Sequence, residues 1–304
     1  MTVGALSATG RSRSGLRQAQ RRAGWVLALP ALLHITVFLA LPLFIAVVLG
    51  FTDYDFSTSW SWVGLGNYHE LIGDERFRRA LLNTVLYTIA VVPVAMAVAL
   101  AVAIGLNQSI RARGAFRAVY YLPVVTATVA VATVWLWIYD PDTGLFNAIL
   151  GFFGIGSVRW LADPGTALPS LMAVGIWQGL GAKIVIYLAA LQGVRRELVE
   201  SARVDGATSW LVFRHVTWPA LRPVQFFVLV TSIIASFQVF DLVYVMTRGG
   251  PANSTTVLTF DIYQNAFSGL RLGYASAETV VTFLLIATFV YVGLRVQRTD
   301  PDED

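Results

Sequence analysis

Residues 198–219, LVESARVDGATSWLVFRHVTWP, form a polar island between long apolar runs. The first half has helical spacing: Arg196 and Glu200 stand i,i+4, Glu200 and Arg203 i,i+3, and Leu198 shares a face with Ala202. Asp205-Gly206 predicts the end of that helix, because Gly enters the left-handed conformation that a helix C-terminus favours. Thr208 or Ser209 can cap a second helix, with Trp210, Phe213 and Trp218 as its apolar flank and Pro219 at the start of the next run. The stretch reads as a bent helix pair carrying both charge and apolar surface.

Outward from this island the chain is dominated by hydrocarbon. Of 304 residues 56% are apolar and 13% charged, and the mean hydropathy of +0.65 belongs to the membrane class rather than to soluble domains. Six apolar runs, near 24–50, 80–106, 116–139, 167–191, 221–246 and 276–296, are each long enough for the roughly 20 helical residues that cross a bilayer. The first exceeds the ~7–15 residues of a signal-peptide core, so it reads as a retained helix. Residues 1–23 are rich in Gly, Ser and Arg without an acid and read as a disordered tail, and 297–304 as a second tail.

A pI near 9.5 and a net charge of +4 do not indicate nucleic acid here, because the basic residues sit in short segments beside apolar runs. With the gaps assigned alternately, one side holds fifteen arginines (11, 13, 17, 21, 22, 111, 113, 117, 195, 196, 203, 214, 222, 295, 298). The other side holds six (76, 78, 79, 159, 248, 271). The positive-inside rule puts the richer side, with both termini and the Glu200 loop, in the cytoplasm.

The island resembles the signature of the permease subunits of ATP-binding-cassette (ABC) importers: Glu-Ala-Ala, three residues, Gly, nine residues, Ile-x-Leu-Pro. Here it stands as Glu200-Ser201-Ala202, Gly206, Val216, Trp218 and Pro219 with every spacing kept and three departures, Ser201, Val216 and Trp218. Phe51-Thr52-Asp53-Tyr54, Val63-Gly64-Leu65-Gly66-Asn67-Tyr68 and Gly249-Gly250-Pro251 followed by Ser254-Thr255 resemble segments that recur in the sugar-importing subclass, of maltose and glycerol-3-phosphate type. The resemblance covers about residues 24–296. It implies an all-α membrane protein of six transmembrane helices in a bacterial inner membrane. The loop 192–220 would then be the cytoplasmic coupling element, with Glu200, Ser201, Ala202, Asp205, Gly206 and Pro219 meeting the ATPase. It further implies a second permease subunit, two ATP-binding subunits that hold ATP and Mg²⁺, and an extracytoplasmic solute-binding protein.

No catalytic constellation is visible. Gly179-Leu180-Gly181-Ala182-Lys183 lacks the spacing and the Ser/Thr of a phosphate-binding loop, His34, His69 and His215 lie on separate segments, and the absence of cysteine removes thiol chemistry. No cofactor or metal is assigned to this chain. Polar groups within the apolar runs are the better lead, since each is costly in hydrocarbon and so faces a bundle interior or a wet path. The fifth run offers Ser232, Ser236, Phe237, Gln238, Phe240, Asp241 and Tyr244. On an unbroken helix Phe237, Phe240, Asp241 and Tyr244 share a face, and aromatics beside hydrogen-bonding groups suit a sugar. Gln178 joins them as a substrate-path candidate from the fourth run. Helix arithmetic sets Lys183 roughly 24 Å and Asp241 roughly 8 Å deep, which separates them and leaves Lys183 to snorkel or to meet a partner subunit. Lys183 and Asp241 are taken as the charged residues of the membrane, too few for an ion-coupled secondary transporter. Bottom-up, Gly249-Gly250-Pro251 ends the fifth helix, and Asn253 or Ser254 caps a short surface helix reaching Phe267. The reading is a carbohydrate-importing permease subunit, with a polyol phosphate as the alternative cargo and no nucleic-acid partner.

Overall fold

A backbone in lipid must satisfy its own N–H and C=O groups, so long apolar runs become helices. The computed structural model describes residues 11–57, 60–108 and 113–298. In chain order the helices are α1 (Arg11–Ile35), continued through a π-turn into α2 (Leu41–Leu49), α3 (Gly66–Gly73), α4 (Glu75–Leu106), α5 (Arg113–Val125), α6 (Thr128–Ile138) and α7 (Leu145–Phe152). They are followed by α8 (Pro164–Gln192), α9 (Arg196–Val204), α10 (Ser209–Val212), α11 (Trp218–Phe237), α12 (Asp241–Met246), α13 (Leu258–Tyr263) and α14 (Leu272–Arg298). Five stretches are long and apolar enough to span a membrane: Gln20–Leu49, Glu75–Leu106, Pro164–Gln192, Ser209–Met246 and Leu272–Arg295. Val119–Val125 and Thr128–Ile138 are long and apolar enough only together, bent by 114°, and bring the number to six where the bent pair counts as one span.

The centre of the bundle is α4 against α8. Ala95, Ala99 and Ala103 recur at i, i+4 and i+8 with zero exposure, a small-residue stripe that lets two helices approach closely. Tyr87 and Val91 meet Leu168, whereas Ala99 through Leu106 share a cluster with Ile184 through Leu191 and with Leu221. The two helices therefore run parallel. Their starts lie at one end of the bundle with residues 250–258, where Asn83 Nδ2 donates to the Asn253 and Thr256 carbonyls at 3.1 and 2.9 Å. Their ends lie at the other, with the Glu200 loop. On α8 a Cβ at Gly181 would strike the Tyr120 carbonyl, so glycine is what lets α5 lie against α8. Gln20–Leu49 has no buried residue in its apolar window and stands at the periphery, in contact with the rest mainly through α2 and α14.

Several expectations change. Helix α1 starts at Arg11, inside the stretch read as a disordered tail, and α14 runs to Arg298; residues 1–10 and 299–304 lie outside the described residues. The third run is not one straight helix: α5 ends at Val125, and Ala127 turns to ψ 132° before α6 begins at Thr128. The helix expected after Pro251 begins only at Leu258, with Val257 rather than Asn253 or Ser254 at its N-cap. Residues 249–256 are instead tied into a turn by Thr255 Oγ1 to the Gly250 carbonyl at 2.8 Å and Thr256 Oγ1 to that of Gly249 at 3.2 Å. Nor is α13 a surface shelf, since Leu258, Phe260 and Asp261 are buried. Burial pushes the Asp261 carboxyl up, and Arg76 Nε, at 2.6 Å, pulls against that shift. Glu278, a charged residue overlooked in the sixth run, is fully buried in α14 and accepts from Asn265 Nδ2 at 3.1 Å.

Candidate functional site

The fifth apolar run breaks within its polar segment, after Phe237. Helix α11 ends at Phe237, Gln238 is its C-cap, Phe240 has φ −135° and ψ −58°, and α12 restarts at Asp241. The freed Val239 carbonyl accepts a 2.6 Å bond from Thr259 Oγ1. Irregular backbone within a membrane bundle is tolerated where protein satisfies it or where it lines a cavity, and both hold here. A cavity of about 350 Å³ opens between α4, the α5–α6 bend, α8 and the α11–α12 break. That size falls within the range of small-molecule pockets.

Of the substrate-path candidates named from the sequence, Gln178, Gln238, Phe240 and Asp241 line it. Gln178 Nε2 donates to Thr128 Oγ1 at 3.1 Å, so the first residue of α6 and the middle of α8 are joined across the wall. Ser232, Ser236, Lys183, Tyr87 and Thr128 also line the cavity. The first three were visible as polar outliers, but Tyr87 and Thr128 carried no signal, because nothing in the sequence reveals which face of α4 or which side of a bend meets the fifth run. Lys183 and Asp241 both line this cavity, and among the described residues they make no ion pair, as the depth arithmetic expected.

Two expected residues lie elsewhere. Phe237 is buried against Phe289, with ring centroids 5.5 Å apart, because the break rotates α12 away from the face that Phe237 occupies. Tyr244 does not line the cavity; it stacks on Phe240 at 5.3 Å and meets Tyr263 edge-on at 5.4 Å, in an aromatic cluster behind the break.

At the other end of α8 the polar island folds as its spacing predicts. Helix α9 closes with the Ala207 N–H donating to the Ala202 carbonyl at 2.9 Å and the Gly206 N–H to that of Arg203 at 3.1 Å, with Gly206 at φ +84°. Thr208 Oγ1 caps α10 by accepting from the Leu211 N–H at 3.4 Å. The rings of Trp210, Phe213 and Trp218 follow one another at 5.7 and 5.8 Å. Glu200, Ser201, Asp205 and Gly206 are exposed, Ala202 and Pro219 half-buried. Leu198, Val204 and Trp210 are exposed apolar side chains on the same element. Among the described residues Glu200 makes no ion pair with Arg196 or Arg203.

The remaining motifs build loops. Asn67 Nδ2 donates to the Gly50 and Thr52 carbonyls at 2.9 and 2.8 Å, and Phe51 stacks on Trp62 at 5.5 Å.

Residues 72–298 match the family described as binding-protein-dependent transport system inner membrane component. The chain belongs to that family. It is thus a multi-pass permease component of the inner membrane, as the resemblance implied. The lactose transport system permease protein LacF of Rhizobium radiobacter is 35% identical over 94% of this chain and 98% of its own length. The trehalose/maltose transport system permease protein MalF of Thermococcus litoralis is 31% identical over 94% and 97%. Among solved structures, a bacterial alginate ABC transporter in complex with an alginate pentasaccharide-bound periplasmic protein has a chain that aligns with TM-score 0.81 at 23% identity, over 95% of this chain and 98% of that one. This likeness establishes the shared fold.

Proposed function

We propose that this permease carries a carbohydrate through the cavity at the α11–α12 break. Two transmembrane subunits, this chain and a second permease, form the channel, and two ATPase subunits dock on the Glu200 loops. The broken helix carries the reading: it turns Gln238 and Asp241 into a cavity already holding Gln178, Thr128, Ser232 and Ser236, and an aromatic face, Phe240, lies beside them. Amides and hydroxyls match the hydroxyl rim of a sugar, and the ring matches its C–H face. The names of the lactose and trehalose/maltose relatives support the same cargo class.

Both termini and the Glu200 loop face the cytoplasm, where ATP is available. Bound with Mg²⁺ to the partner subunits, ATP supplies the closing force there. This chain contributes a bent element: α9 presents Glu200 with Leu198 and Val204, Gly206 fixes the angle, and the helix from Ser209 onward passes the movement into α11. Closure moves the two Glu200 loops together and turns the bundle outward, so that the solute-binding protein releases its sugar into the cavity.

The test uses the importer reconstituted with its partner permease, ATPase subunits and binding protein. Gln178→Ala and Gln238→Ala each remove about 1 kcal/mol of hydrogen bonding to the solute, roughly a fivefold loss of sugar-dependent ATP hydrolysis, while copurification of the subunits is unchanged. Wild-type hydrolysis in both variants would place the sugar path outside this cavity.

A further inference from the structure

Lys183 is the one cationic side chain lining the cavity among the described residues, and it is half-buried there. Its Nζ donates to the Gly179 carbonyl, one turn back on α8, at 3.2 Å, and no carboxylate of the described residues lies within 4.0 Å of it. Gly179 makes room for this pose, since a Cβ there would sit 3.1 Å from the ammonium. Snorkelling does not relieve the charge: Lys183 is nine residues from the end of α8 at Gln192, about 13 Å at ~1.5 Å per residue, farther than its stem extends. Asp241, the acidic side chain that lines the cavity from α12, makes no ion pair with Lys183. Among the described residues of this chain, this ammonium has one carbonyl for a partner and no counter-charge.

We infer that the solute passing through this cavity carries an anionic group, the carboxylate of a uronic acid or a phosphate ester, and that Lys183 selects for it. The inference rests on the carbohydrate-permease reading and narrows its substrate class. Gln178 and Gln238 then serve the hydroxyls, and the lysine takes the anion through a charge-assisted hydrogen bond, which neutral sugars do not offer.

The permease complex, purified with its partner permease and ATPase subunits but without binding protein, is titrated calorimetrically with digalacturonate, glycerol 3-phosphate and maltose. One of the two anions binds more tightly than maltose, and its affinity falls as salt is raised. Lys183→Met weakens that binding on the order of tenfold or more, and Lys183→Arg restores most of it. Which anion binds distinguishes a carboxylate from a phosphate source. Maltose bound as tightly as either anion, neither anion bound, or an anion bound equally by wild type and Lys183→Met would each overturn the inference. Uptake of neutral sugar by the full importer in those cases would leave the carbohydrate reading standing, whereas uptake of no sugar would remove that as well.

Discussion

Gly206 holds φ +84° at the angle between α9 and α10, and a Cβ added there meets nothing within 4 Å. A substitution at this residue therefore tests backbone conformation without steric confusion. A β-branched side chain resists the left-handed region by about 1–2 kcal/mol, whereas Asn tolerates it. If the bend is what the ATPase subunits engage, Gly206→Val lowers their copurification with the permease and the hydrolysis stimulated by loaded binding protein, and Gly206→Asn stays close to wild type. Equal behaviour of the two variants would show that the angle is not used. Glu200→Ala separates charge from shape at the same element. Its carboxylate is exposed and makes no ion pair among the described residues, so its loss leaves the helices intact and weakens only the contact with a basic partner. Unchanged copurification in this variant would remove Glu200 from the docking surface.

At the scale of elements, the decisive event is a break without a proline or glycine to announce it. Thr259 bonds the Val239 carbonyl at 2.6 Å and holds the ends of α11 and α12 apart. Thr259→Val keeps the shape and strands that carbonyl, which costs about 1–3 kcal/mol; a thermal-unfolding midpoint in detergent should fall by a few degrees. Thr288→Val is the matched control, because its hydroxyl bonds the Leu284 carbonyl one turn back on an exposed helix face, and it should shift little. An equal shift in both would mean that the break does not depend on Thr259. This also explains what was legible. Apolar runs gave the spans and local chemistry gave the Glu200 bend, since caps and a left-handed glycine act within a few residues. At the α11–α12 break the Val239 carbonyl is met by a hydroxyl from twenty residues away in sequence. Periodicity therefore extended the helix through it and assigned Phe237 and Tyr244 to a face that does not exist. Gln178, Gln238 and Asp241 survived as candidates because a polar side chain in an apolar run signals a wet surface whatever the backbone does.

For the molecule as a whole, the parallel course of α4 and α8 sorts the loops into two ends. Arg113 and Arg117 belong to the first turns of α5, which follows α4, and Arg195, Arg196, Arg203 and Arg214 follow α8, so the Glu200 end gathers arginines that resist translocation. At the other end the basic groups are partly neutralised: Arg76 pairs with Asp261, and Arg271 holds both oxygens of Glu70 at 2.7 Å. Cytoplasmic exposure of the Glu200 end is therefore the orientation to test, and a chain without cysteine suits single reporters. Ser157 is a poor site, because its Oγ donates to the Pro141 carbonyl at 2.7 Å and accepts from Asn147 at 2.9 Å. Gly156 beside it is exposed, and an added Cβ meets nothing within 4 Å. Gly156→Cys should react with a membrane-impermeant maleimide on intact cells, and Ser209→Cys, exposed in the first turn of α10, only after the membrane is opened. Labelling of Ser209→Cys on intact cells, with Gly156→Cys protected, would invert the protein. The exposed Leu198, Val204 and Trp210 would then face away from ATP, and the Glu200 loop could not be the element on which an ATPase subunit docks.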